Sequence, residues 1–562
     1  MGGAQQRVDA IRARSTELEN HLIDEYRAGT ISRREFVARA TVVGMSVSLA
    51  GFLASACGVD REDVAKVDPK QTEPPQPGGT IRTGILSPAG ALDPVTVNNE
   101  GALAVLGQSG EYLTWSDSEL KLRPRLAESW KPNSDGSVWT FKIRRGVKFH
   151  DGQDLTAEDV VATIDRLADP DGASNALSVF AGALSKGKSR AVDPATVEFS
   201  LDAPNGNFPY LLSSDNYNAI ILPKSYDGDW EKTFIGTGPW MLDNYEQEVS
   251  ANYVKNPEYW DKGRQPVPDR HEVKFYEQEP ALVLAMLGNE VDIVSHYSVS
   301  GGKALLTSDD VRTTEYSSSV HRQLHLRTDQ EPFKDKRVRQ AVALLVNREN
   351  LVDGLLDTKS DFGNDSPFAP AYRSTDKSVK QRRRDVEQAR QLLADAGKGD
   401  GFEVQLDGWN GFEMPDYAQL VQDDVRPVGI TIKLNITDSA SYYGEATFGN
   451  SRWLDSNMGI TEYGHRGVPN VLLGAPLTSK GTWNGAHFKN KRYDDLVAEY
   501  VAALDLGVQR RVARQIQELL LDETPIIFSY FYFWLAGARP DVSGYETTAM
   551  GHIDASQAGM VA

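Results

Sequence analysis

The chain contains the sequence Ser137-Val-Trp-Thr-Phe-Lys-Ile-Arg-Arg-Gly-Val-Lys-Phe-His-Asp-Gly-Gln-Asp-Leu-Thr-Ala-Glu-Asp-Val160. Its first eight residues alternate in polarity, with Trp139, Phe141 and Ile143 on one side, which predicts a half-buried strand. The Asp-Gly pair at 151–152 is typical of a turn. Thr156 is a favourable N-cap for a following helix, and the acidic residues after it suit the positive first turn. The stretch therefore predicts a strand, a turn and a helix in that order.

The same two patterns alternate through the rest of the chain. Period-two alternation predicts strands at 80–86, 192–201, 402–407 and 430–436, and within 248–276. Helical spacing of apolar residues predicts helices at 280–288, 335–355, 385–396, 416–427, 491–504 and 507–521. No repeat of fixed period is visible, which argues against a solenoid or a propeller. We therefore expect an α/β fold with more than one lobe.

Composition excludes several classes of protein. The chain has 562 residues, with 79 acidic and 60 basic side chains and a formal net charge of -19. This length allows two to four domains. A strongly acidic chain is a poor candidate for binding nucleic acid, because phosphate contacts need a basic surface. The single cysteine excludes an internal disulfide bond and any zinc site built from several thiolates.

Residues 1–57 have the pattern of an export signal. The pair Arg33-Arg34 with Phe36 resembles a twin-arginine signal, and a weakly apolar run over 40–56 follows it. The run ends in Ala54-Ser-Ala-Cys57, which resembles a bacterial lipobox, although Ala54 stands where that pattern usually has leucine. We expect Cys57 to be lipidated. The alternative is an ordinary N-terminal membrane helix that contains a buried free thiol.

Residues 58–79 are charged and rich in proline and glycine, ending in Pro74-Pro-Gln-Pro-Gly-Gly79. Such a segment buries too little apolar surface to order itself, and it predicts a flexible tether. No stretch after residue 57 is long and apolar enough to predict a membrane span. We therefore expect a soluble body that is tied by a lipid anchor to the outer face of the cytoplasmic membrane.

Several motifs, taken in order, resemble one family. They are Leu126-Ala-Glu-Ser-Trp130, the stretch 137–160, Gly236-Thr-Gly-Pro-Trp240, Asn256-Pro-Glu-Tyr-Trp260, Gly288-Asn-Glu-Val-Asp292, Pro332-Phe-Lys-Asp-Lys-Arg-Val-Arg-Gln-Ala341, Ala389 to Gly397 and Asp522-Glu-Thr-Pro-Ile-Ile527. Together they resemble the extracytoplasmic solute-binding proteins of ABC importers, the dipeptide/oligopeptide family (family 5). Each motif alone is weak, but their order extends over nearly everything after residue 77.

The resemblance implies a two-lobed periplasmic-binding-protein type II fold of the enlarged, peptide-binding type. The chain would cross between the lobes near 321–327 and 525–536. The large lobe would be 77–322 plus 530–562, and the small lobe 323–529. Hinge closure would bury a solute between the lobes, and the protein, expected to be a monomer, would deliver it to ABC transporter permease subunits.

The resemblance also places the solute among three loops. These are Leu86-Ser-Pro-Ala-Gly90, which includes Ser87; Gly408-Trp-Asn-Gly411, which includes Trp409 and Asn410; and Gly459-Ile-Thr-Glu-Tyr-Gly-His-Arg466, which includes Glu462, Tyr463 and His465. Peptide-binding relatives hold the amino terminus of the ligand with an aspartate in the last loop, where this chain has Tyr463. Dipeptide binders place an arginine in the second loop, where this chain has Trp409. Both departures weigh against free dipeptides.

The residues at these positions have chemistry suited to a zwitterion. Arg466 suits a carboxylate and Glu462 an amine, while Trp409, Tyr463 and Trp483 offer flat apolar walls. Tyr112 is a further candidate for the ligand-binding site. The alternatives are a surface ion pair for Arg466 and ordinary core packing for the aromatic residues.

Two pairs of residues that include histidine, His150–Asp151 and His321–His325, raise the question of acid–base catalysis or metal binding. His150 beside Asp151 resembles an acid–base pair, but the Asp-Gly turn gives a structural explanation. His321 and His325 lie on one side of an alternating segment, where no third metal ligand stands nearby. A Gly-x-Ser-x-Gly elbow, a Walker loop and a His-Glu-x-x-His helix are missing from the sequence.

We therefore expect a binding protein for peptides or related zwitterionic solutes rather than an enzyme. It should need no cofactor and no resident metal. The alternative is the same fold binding a non-peptide solute, such as an opine-like conjugate, a glycan or a nickel complex.

Overall fold

The computed structural model describes residues 74–232 and 234–561. The twin-arginine-like signal, Cys57 and residues 58–73 of the expected tether lie outside the described residues. Over the described ranges, every helix is too short or too polar to cross a membrane.

Most strands belong to one large sheet. The strands up to residue 326 are β1 (Thr80–Leu86), β2 (Thr114–Ser116), β3 (Leu122–Pro124), β4 (Ala127–Pro132), β5 (Val138–Ile143), β6 (Ser189–Asp193), β7 (Thr196–Ser200), β8 (Trp240–Glu246), β9 (Ser250–Lys255), β10 (Arg270–Tyr276), β11 (Ile293–Tyr297) and β12 (Arg312–Leu326). The later strands are β13 (Ser360–Phe362), β14 (Phe402–Trp409), β15 (Ile430–Thr437), β16 (Met458–Tyr463), β17 (Ile526–Ala538), β18 (Val542–Ser543), β19 (Glu546–Thr547), β20 (Ile553–Asp554) and β21 (Gly559–Met560).

Helices are interspersed among the strands. They are α1 (Glu100–Ser109), α2 (Ala157–Leu167), α3 (Leu177–Phe180), α4 (Phe208–Leu211), α5 (Glu279–Leu287), α6 (Lys303–Leu306), α7 (Lys336–Leu345), α8 (Val386–Asp395), α9 (Met414–Val425), α10 (Ser439–Tyr443), α11 (Arg452–Asp455), α12 (Asn470–Gly474), α13 (Lys491–Ala502) and α14 (Leu506–Glu523). Short 3-10 turns lie at Lys262–Arg264 and Arg426–Val428, and a π turn lies at Asn350–Leu355.

The stretch 137–160 folds as its pattern predicts. β5 presents Trp139, Phe141 and Ile143 to the core, where each is at most 5% exposed. It lies in a four-stranded sheet of order β4-β5-β7-β6. The following helix α2 begins after Thr156, whose backbone N–H donates to the Asp159 carboxylate at 2.8 Å. This contact satisfies one of the free donors of a helix start.

The large sheet joins two groups of strands through two long ones. Its order is β15-β14-β16-β12-β17-β11-β1-β10-β9-β8, and β13 also pairs with β17. β12 and β17 run antiparallel to each other along most of their length. Their register shifts between Ser317 and His321, and again between His321 and Gln323. On one side of these shifts β17 pairs with β11, and on the other β12 pairs with β16.

Separate hydrophobic cores lie on the two sides of this crossing. One core is formed by residues from Ile81 to Ile293, with additions from the C-terminal segment between Ala538 and Ala558. Another is formed by residues from Leu324 to Tyr530 and packs around β14, β15 and β16. The expected α/β, two-lobed fold is therefore confirmed. We call the lobe around the first core the large lobe and the other the small lobe.

One predicted helix is wrong in its extent. The apolar spacing over 335–355 predicts a single helix, whereas α7 ends at Leu345 and a π turn begins at Asn350. Hydrogen bonds to residues elsewhere in the chain stabilise the break between α7 and the π turn. The Asn347 N–H donates to the Asp424 carboxylate at 2.7 Å, and the buried Arg348 donates to Asp365. Local spacing cannot reveal such contacts, because their acceptors lie elsewhere in the chain.

Candidate functional site

The strand directions bring the loop-bearing ends of the two lobes to face each other. In the large lobe, β10 and β11 both run parallel to β1. In the small lobe, β15 and β16 run parallel to β14. β11 and β12 are both antiparallel to β17, whereas β16 is antiparallel to β12. The two sets of carboxyl ends therefore point toward each other across the crossing. Ligands of open α/β sheets bind at such ends.

A small cavity of about 10 Å³ lies where these ends meet. Ser116, Asp117 and Asp215 contribute to it from the large lobe, and Tyr316 contributes from β12. His465 contributes from the loop after β16 in the small lobe. Residues of both lobes and of a crossing strand thus enclose one space. That space holds at most about one water molecule.

Asp215 is the most unusual side chain in this cavity. Its Oδ2 is fully enclosed and has no hydrogen-bond partner among the residues that the structure describes. Burial raises the pKa of Asp215 to about 7, against the opposing influence of the Ser116 hydroxyl and the Arg466 guanidinium. An enclosed carboxylate without a partner is costly when it is charged. Asp215 is therefore suited to receive a cationic group from outside the chain.

Arg466 stands in the small lobe near Asp215. Its backbone N–H donates to Ser319 Oγ at 2.9 Å, and its Nη1 donates to the carbonyl of His465 at 2.8 Å. Its Nε is buried and lacks a partner within the described part of the chain. A guanidinium with a free donor can bind a carboxylate or a carbonyl. Among the described residues the Arg466 guanidinium forms no close ion pair, and its charge acts on Asp215 at longer range.

His465 is held as a neutral donor. The Ser319 N–H donates to His465 Nδ1 at 3.1 Å, so the ring proton must lie on Nε2. Burial lowers the pKa of His465 to about 3. The imidazole is therefore uncharged at neutral pH and provides one N–H donor at the cavity wall.

Trp409 and Glu462 contact each other rather than the cavity. Trp409 Nε1 donates to Glu462 Oε2 at 2.9 Å, and the Tyr443 hydroxyl donates to the same oxygen. Asn410 is exposed, and its backbone N–H donates to the carbonyl of Thr437. The carboxylate of Glu462 already has two donors within the small lobe. The Glu462 carboxylate is therefore better supplied with hydrogen-bond donors from the chain than the Asp215 carboxylate is, and Asp215 is the better candidate for binding an amine.

Tyr463 lies on the opposite side of β16 from Glu462, because neighbouring strand residues alternate in direction. The Tyr463 ring stacks on His321 with centroids 5.5 Å apart, and the Trp483 ring lies 5.9 Å from Tyr463. The Tyr463 hydroxyl is enclosed and unpartnered as far as the structure describes the chain. Tyr463 and Trp483 therefore form an apolar surface that carries one hydroxyl group without a hydrogen-bond partner among the described residues.

The two large-lobe candidates do not join this group. Tyr112 is buried in the large-lobe core, and its hydroxyl donates to the carbonyl of Tyr217 at 3.2 Å. It lines a different cavity, of about 40 Å³, together with Glu111 and Arg125. Ser87 follows β1, where its backbone N–H donates to the carbonyl of Tyr276. The structure thus divides the nine sequence-based candidates among separate places.

The sequence reasoning missed Asp215, Ser116 and Tyr316. Asp215 lies in Ser213-Ser-Asp-Asn216, directly after the short helix α4. A polar run between two apolar segments was the available signal, but it is also typical of an ordinary loop. Nothing local indicates that the loop meets the other lobe.

The histidines that suggested other chemistry have structural partners. His150 Nε2 lies 3.0 Å from the carbonyl of Gly238, and the Asp151 carboxylate accepts from Gln153. His321 lies in a strand as predicted, with Nδ1 2.8 Å from the carbonyl of Ser319. Residues 74–232 and 234–561 contain no group of three or more His, Cys, Asp or Glu positioned to hold a metal ion.

Comparison with known proteins agrees with this architecture. The family model "Bacterial extracellular solute-binding proteins, family 5 Middle" matches residues 121–467. The glutathione-binding protein GsiB of Escherichia coli K12 is 27% identical over 447 residues, which cover 78% of this chain and 86% of GsiB.

Two solved structures share the fold. HbpA2 from Haemophilus parasuis has a TM-score of 0.76 and 21% identity, covering 86% of this chain and all of that one. The periplasmic binding protein DppA from Helicobacter pylori, solved with the peptide STSA, has a TM-score of 0.69 and 19% identity over 86% of this chain and 98% of that chain. The chain belongs to family 5 of the bacterial extracellular solute-binding proteins.

Proposed function

We propose that this protein captures a short peptide, or a related zwitterionic amino-acid derivative, and delivers it unchanged to an ABC transporter permease. The observation that carries the proposal is the cavity between the lobes. It is enclosed by Asp215 of the large lobe, Tyr316 of a crossing strand and His465 of the small lobe. The space is large enough for about one water molecule, so a solute would place one polar group in it. From there the solute would contact both lobes, and it would stabilise the closed form by its differential affinity.

The polar groups around the cavity favour a zwitterion as the solute. An unpartnered carboxylate oxygen lies on the large-lobe side, and an Arg466 Nε without a partner lies near it on the small-lobe side, within the described residues. Opposite charges on the two sides suit a molecule with an ammonium and a carboxylate or carbonyl group. The relative GsiB is named for binding glutathione, which is such a molecule.

The same fold with a non-peptide solute is the second candidate. Tyr463 stands where peptide-binding relatives would have an aspartate, and Trp409 stands where dipeptide binders would have an arginine. Trp409 Nε1 and Tyr443 already occupy the Glu462 carboxylate. These features favour a larger amino-acid conjugate over a free dipeptide.

We place the hinge between the lobes at the register shifts of β12 and β17. Pairing is regular up to Ser317–Phe533 and is regular again from Gln323–Phe528, with the single pair His321–Phe531 between the two register shifts. Irregular pairing marks the place where paired strands bend most easily. This hinge corresponds to a large lobe of 77–322 plus 530–562 and a small lobe of 323–529.

We further propose that Cys57 carries a lipid that holds the protein at the outer face of the cytoplasmic membrane. The proposal rests on the apolar run and the Ala54-Ser-Ala-Cys57 site. Cys57→Ser should release the protein from membranes or leave it unprocessed, as read by cell fractionation and intact-protein mass. Unchanged fractionation and unchanged mass would refute the anchor.

The solute is tested by thermal unfolding with glutathione, trialanine, octopine and a mixture of short peptides. We expect at least one peptide to raise the melting temperature, and mass spectrometry to recover it intact after incubation. If octopine alone raises the melting temperature, the second candidate replaces the first. If the peptide is cleaved during incubation, and a point mutation abolishes the cleavage, the protein is an enzyme and the binding-protein proposal is wrong.

A further inference from the structure

We infer that Asp215 binds the ammonium group of the solute, from the large lobe rather than from the small-lobe loops. The inference deepens the proposed function and rests on it. It concerns a residue outside the three loops that the family resemblance indicates. The solute class that follows is any amine with an acceptor group close to its ammonium.

One oxygen of the Asp215 carboxylate is the main evidence for an ammonium site. Oδ2 of Asp215 is enclosed and has no hydrogen-bond partner in good geometry among the described residues. The Ser116 hydroxyl is the side-chain donor beside this carboxylate, and it favours the ionised form. Buried polar atoms in folded proteins nearly always have partners, so an exception at a cavity wall needs an explanation. One hydroxyl donor leaves acceptor capacity of the carboxylate unused at the cavity wall, and a donor that comes with the ligand would use it.

An ammonium group fits this place better than a metal ion or an anion does. The cavity is also lined by Asp117, so its large-lobe wall carries a second carboxylate. That carboxylate is already used by the backbone N–H groups of Glu119 and Lys121. No metal-binding group of three or more His, Cys, Asp or Glu is found in the described ranges. An ammonium needs only acceptors, and Asp215 and Ser116 provide them.

Donors on the small-lobe side complete the recognition. His465 presents an N–H from Nε2, because its Nδ1 accepts from Ser319. Arg466 Nε has no partner within residues 74–232 and 234–561. A solute with a carbonyl or carboxylate close to its ammonium would contact acceptors of the large lobe and donors of the small lobe. Such a solute would hold the lobes together.

Gly467 shows how closely Asp215 approaches the small lobe. A Cβ atom added at Gly467 would lie 1.7 Å from Asp215 Oδ2. The large-lobe carboxylate therefore lies directly against the small-lobe backbone, which is possible only with glycine at that position. Asp215 is enclosed in the arrangement that the structure describes, and we expect separation of the lobes to expose it. Its contact with the solute is thereby linked to closure.

The electrostatic surroundings give the site a pH dependence. Arg466 favours the ionised form of Asp215, whereas burial and the charge of Asp117 oppose it, with a pKa of about 7. Tyr210, Tyr372 and His465 are also close to this group, and all three are neutral near pH 7 because burial shifts their pKa values away from it. Below about pH 7 the empty site is protonated, so affinity for an ammonium should fall as the pH is lowered from 8 to 6.

The experiment compares free amines with their acetylated forms. Trialanine, glutathione and arginine, each with its Nα-acetyl derivative, are titrated into the full chain by calorimetry at pH 8 and pH 6. The isosteric variant is Asp215→Asn. The matched control is Asp424→Asn, because Asp424 is also a partly buried carboxylate with a raised pKa, but it contacts Asn347 away from the cavity.

We expect at least one free amine to bind the wild type at least tenfold more tightly than its acetylated form. Asp215→Asn should weaken that amine at least tenfold at pH 8 and remove the fall in affinity at pH 6. Asp424→Asn should stay within twofold of the wild type. If arginine alone binds in this manner, the ammonium site stands while the peptide solute of the proposed function fails.

Three outcomes overturn the inference. They are the absence of binding by every free amine, equal binding of free and acetylated forms, and an Asp215→Asn variant that binds within twofold of the wild type. Circular dichroism checks that each variant is folded. Because asparagine has the shape of aspartate and removes an unpaired buried charge, we expect Asp215→Asn to be at least as stable as the wild type at pH 8.

Discussion

At the scale of single residues, Glu111 shows how separate motifs depend on one another. Its buried carboxylate accepts from Thr237 Oγ1 at 2.9 Å, from the Tyr259 hydroxyl at 2.9 Å and from Trp260 Nε1 at 2.8 Å. Thr237 lies in the Gly-Thr-Gly-Pro-Trp motif, and Tyr259 and Trp260 lie in the Asn-Pro-Glu-Tyr-Trp motif. The two motifs therefore have a structural reason to occur together. The loop that starts at Gly236 is a packing element rather than a phosphate site.

Replacing Glu111 with glutamine should destabilise the protein by about 1–3 kcal/mol. Glutamine has one acceptor oxygen where the carboxylate has two, and it removes the negative charge that faces Arg125. The three buried donors around position 111 would therefore be less well satisfied. Urea unfolding at pH 7 measures the loss. Glu119→Gln is the control, because Glu119 is exposed and its carboxylate forms a surface ion pair with Lys121. The free energy of unfolding of this variant should differ from that of the wild type by less than about 0.5 kcal/mol. Equal stabilities of the two variants would contradict this account of Glu111.

Single residues of the site were harder to predict than the packing residues. The positions of Trp139, Phe141 and Ile143 follow from local alternation, and all three are buried. Asp215 gives no comparable signal, since its environment is made by Arg466 and Gly467, about 250 residues further along the chain. Local sequence patterns predict which side chains are buried, but they do not predict which loops from distant parts of the chain come into contact.

At the scale of elements, the crossing strands β12 and β17 connect the two lobes. The expected crossings at 321–327 and 525–536 overlap the last part of β12, which ends at Leu326, and most of β17, which begins at Ile526. The side chains of residues 321–327 alternate in polarity, and this local pattern is enough to predict a strand. The register shifts near Ser317 and His321 could not be predicted, since they depend on which partner strand lies alongside.

The loop after β16 provides a test of closure at this scale. Gly467→Ala would place a methyl group 1.7 Å from Asp215 Oδ2, so the lobes could not reach the closed arrangement. We expect solute affinity to fall at least tenfold, as measured by calorimetry. The free energy of unfolding should change little, because opening the lobes relieves the clash.

Gly464→Ala is the matched control for this loop. Its added Cβ would lie 3.7 Å from the nearest atom, Arg466 Nη1, which is an ordinary contact distance. This variant should bind within twofold of the wild type. If Gly467→Ala also binds within twofold, the close approach of Asp215 is not part of the binding-competent form.

At the scale of the whole molecule, two lobes with separate main cores are joined by β12 and β17. The ordered motifs between 126 and 527, through the family that they resemble, were sufficient to predict the two-lobed fold. The arrangement of the cleft was not predictable from them, because it depends on how loops of one lobe meet loops of the other. Tyr112 illustrates this limit, since an aromatic residue expected near the solute lies in the large-lobe core.

The central claim is that these two lobes close over a solute. Small-angle X-ray scattering tests it most directly, with the full chain measured alone and with a saturating amount of the compound that most raises its melting temperature. The account predicts that the radius of gyration of the wild type decreases when that compound is added, and that Gly467→Ala shows no decrease. A radius of gyration that is the same with and without the bound compound would contradict it.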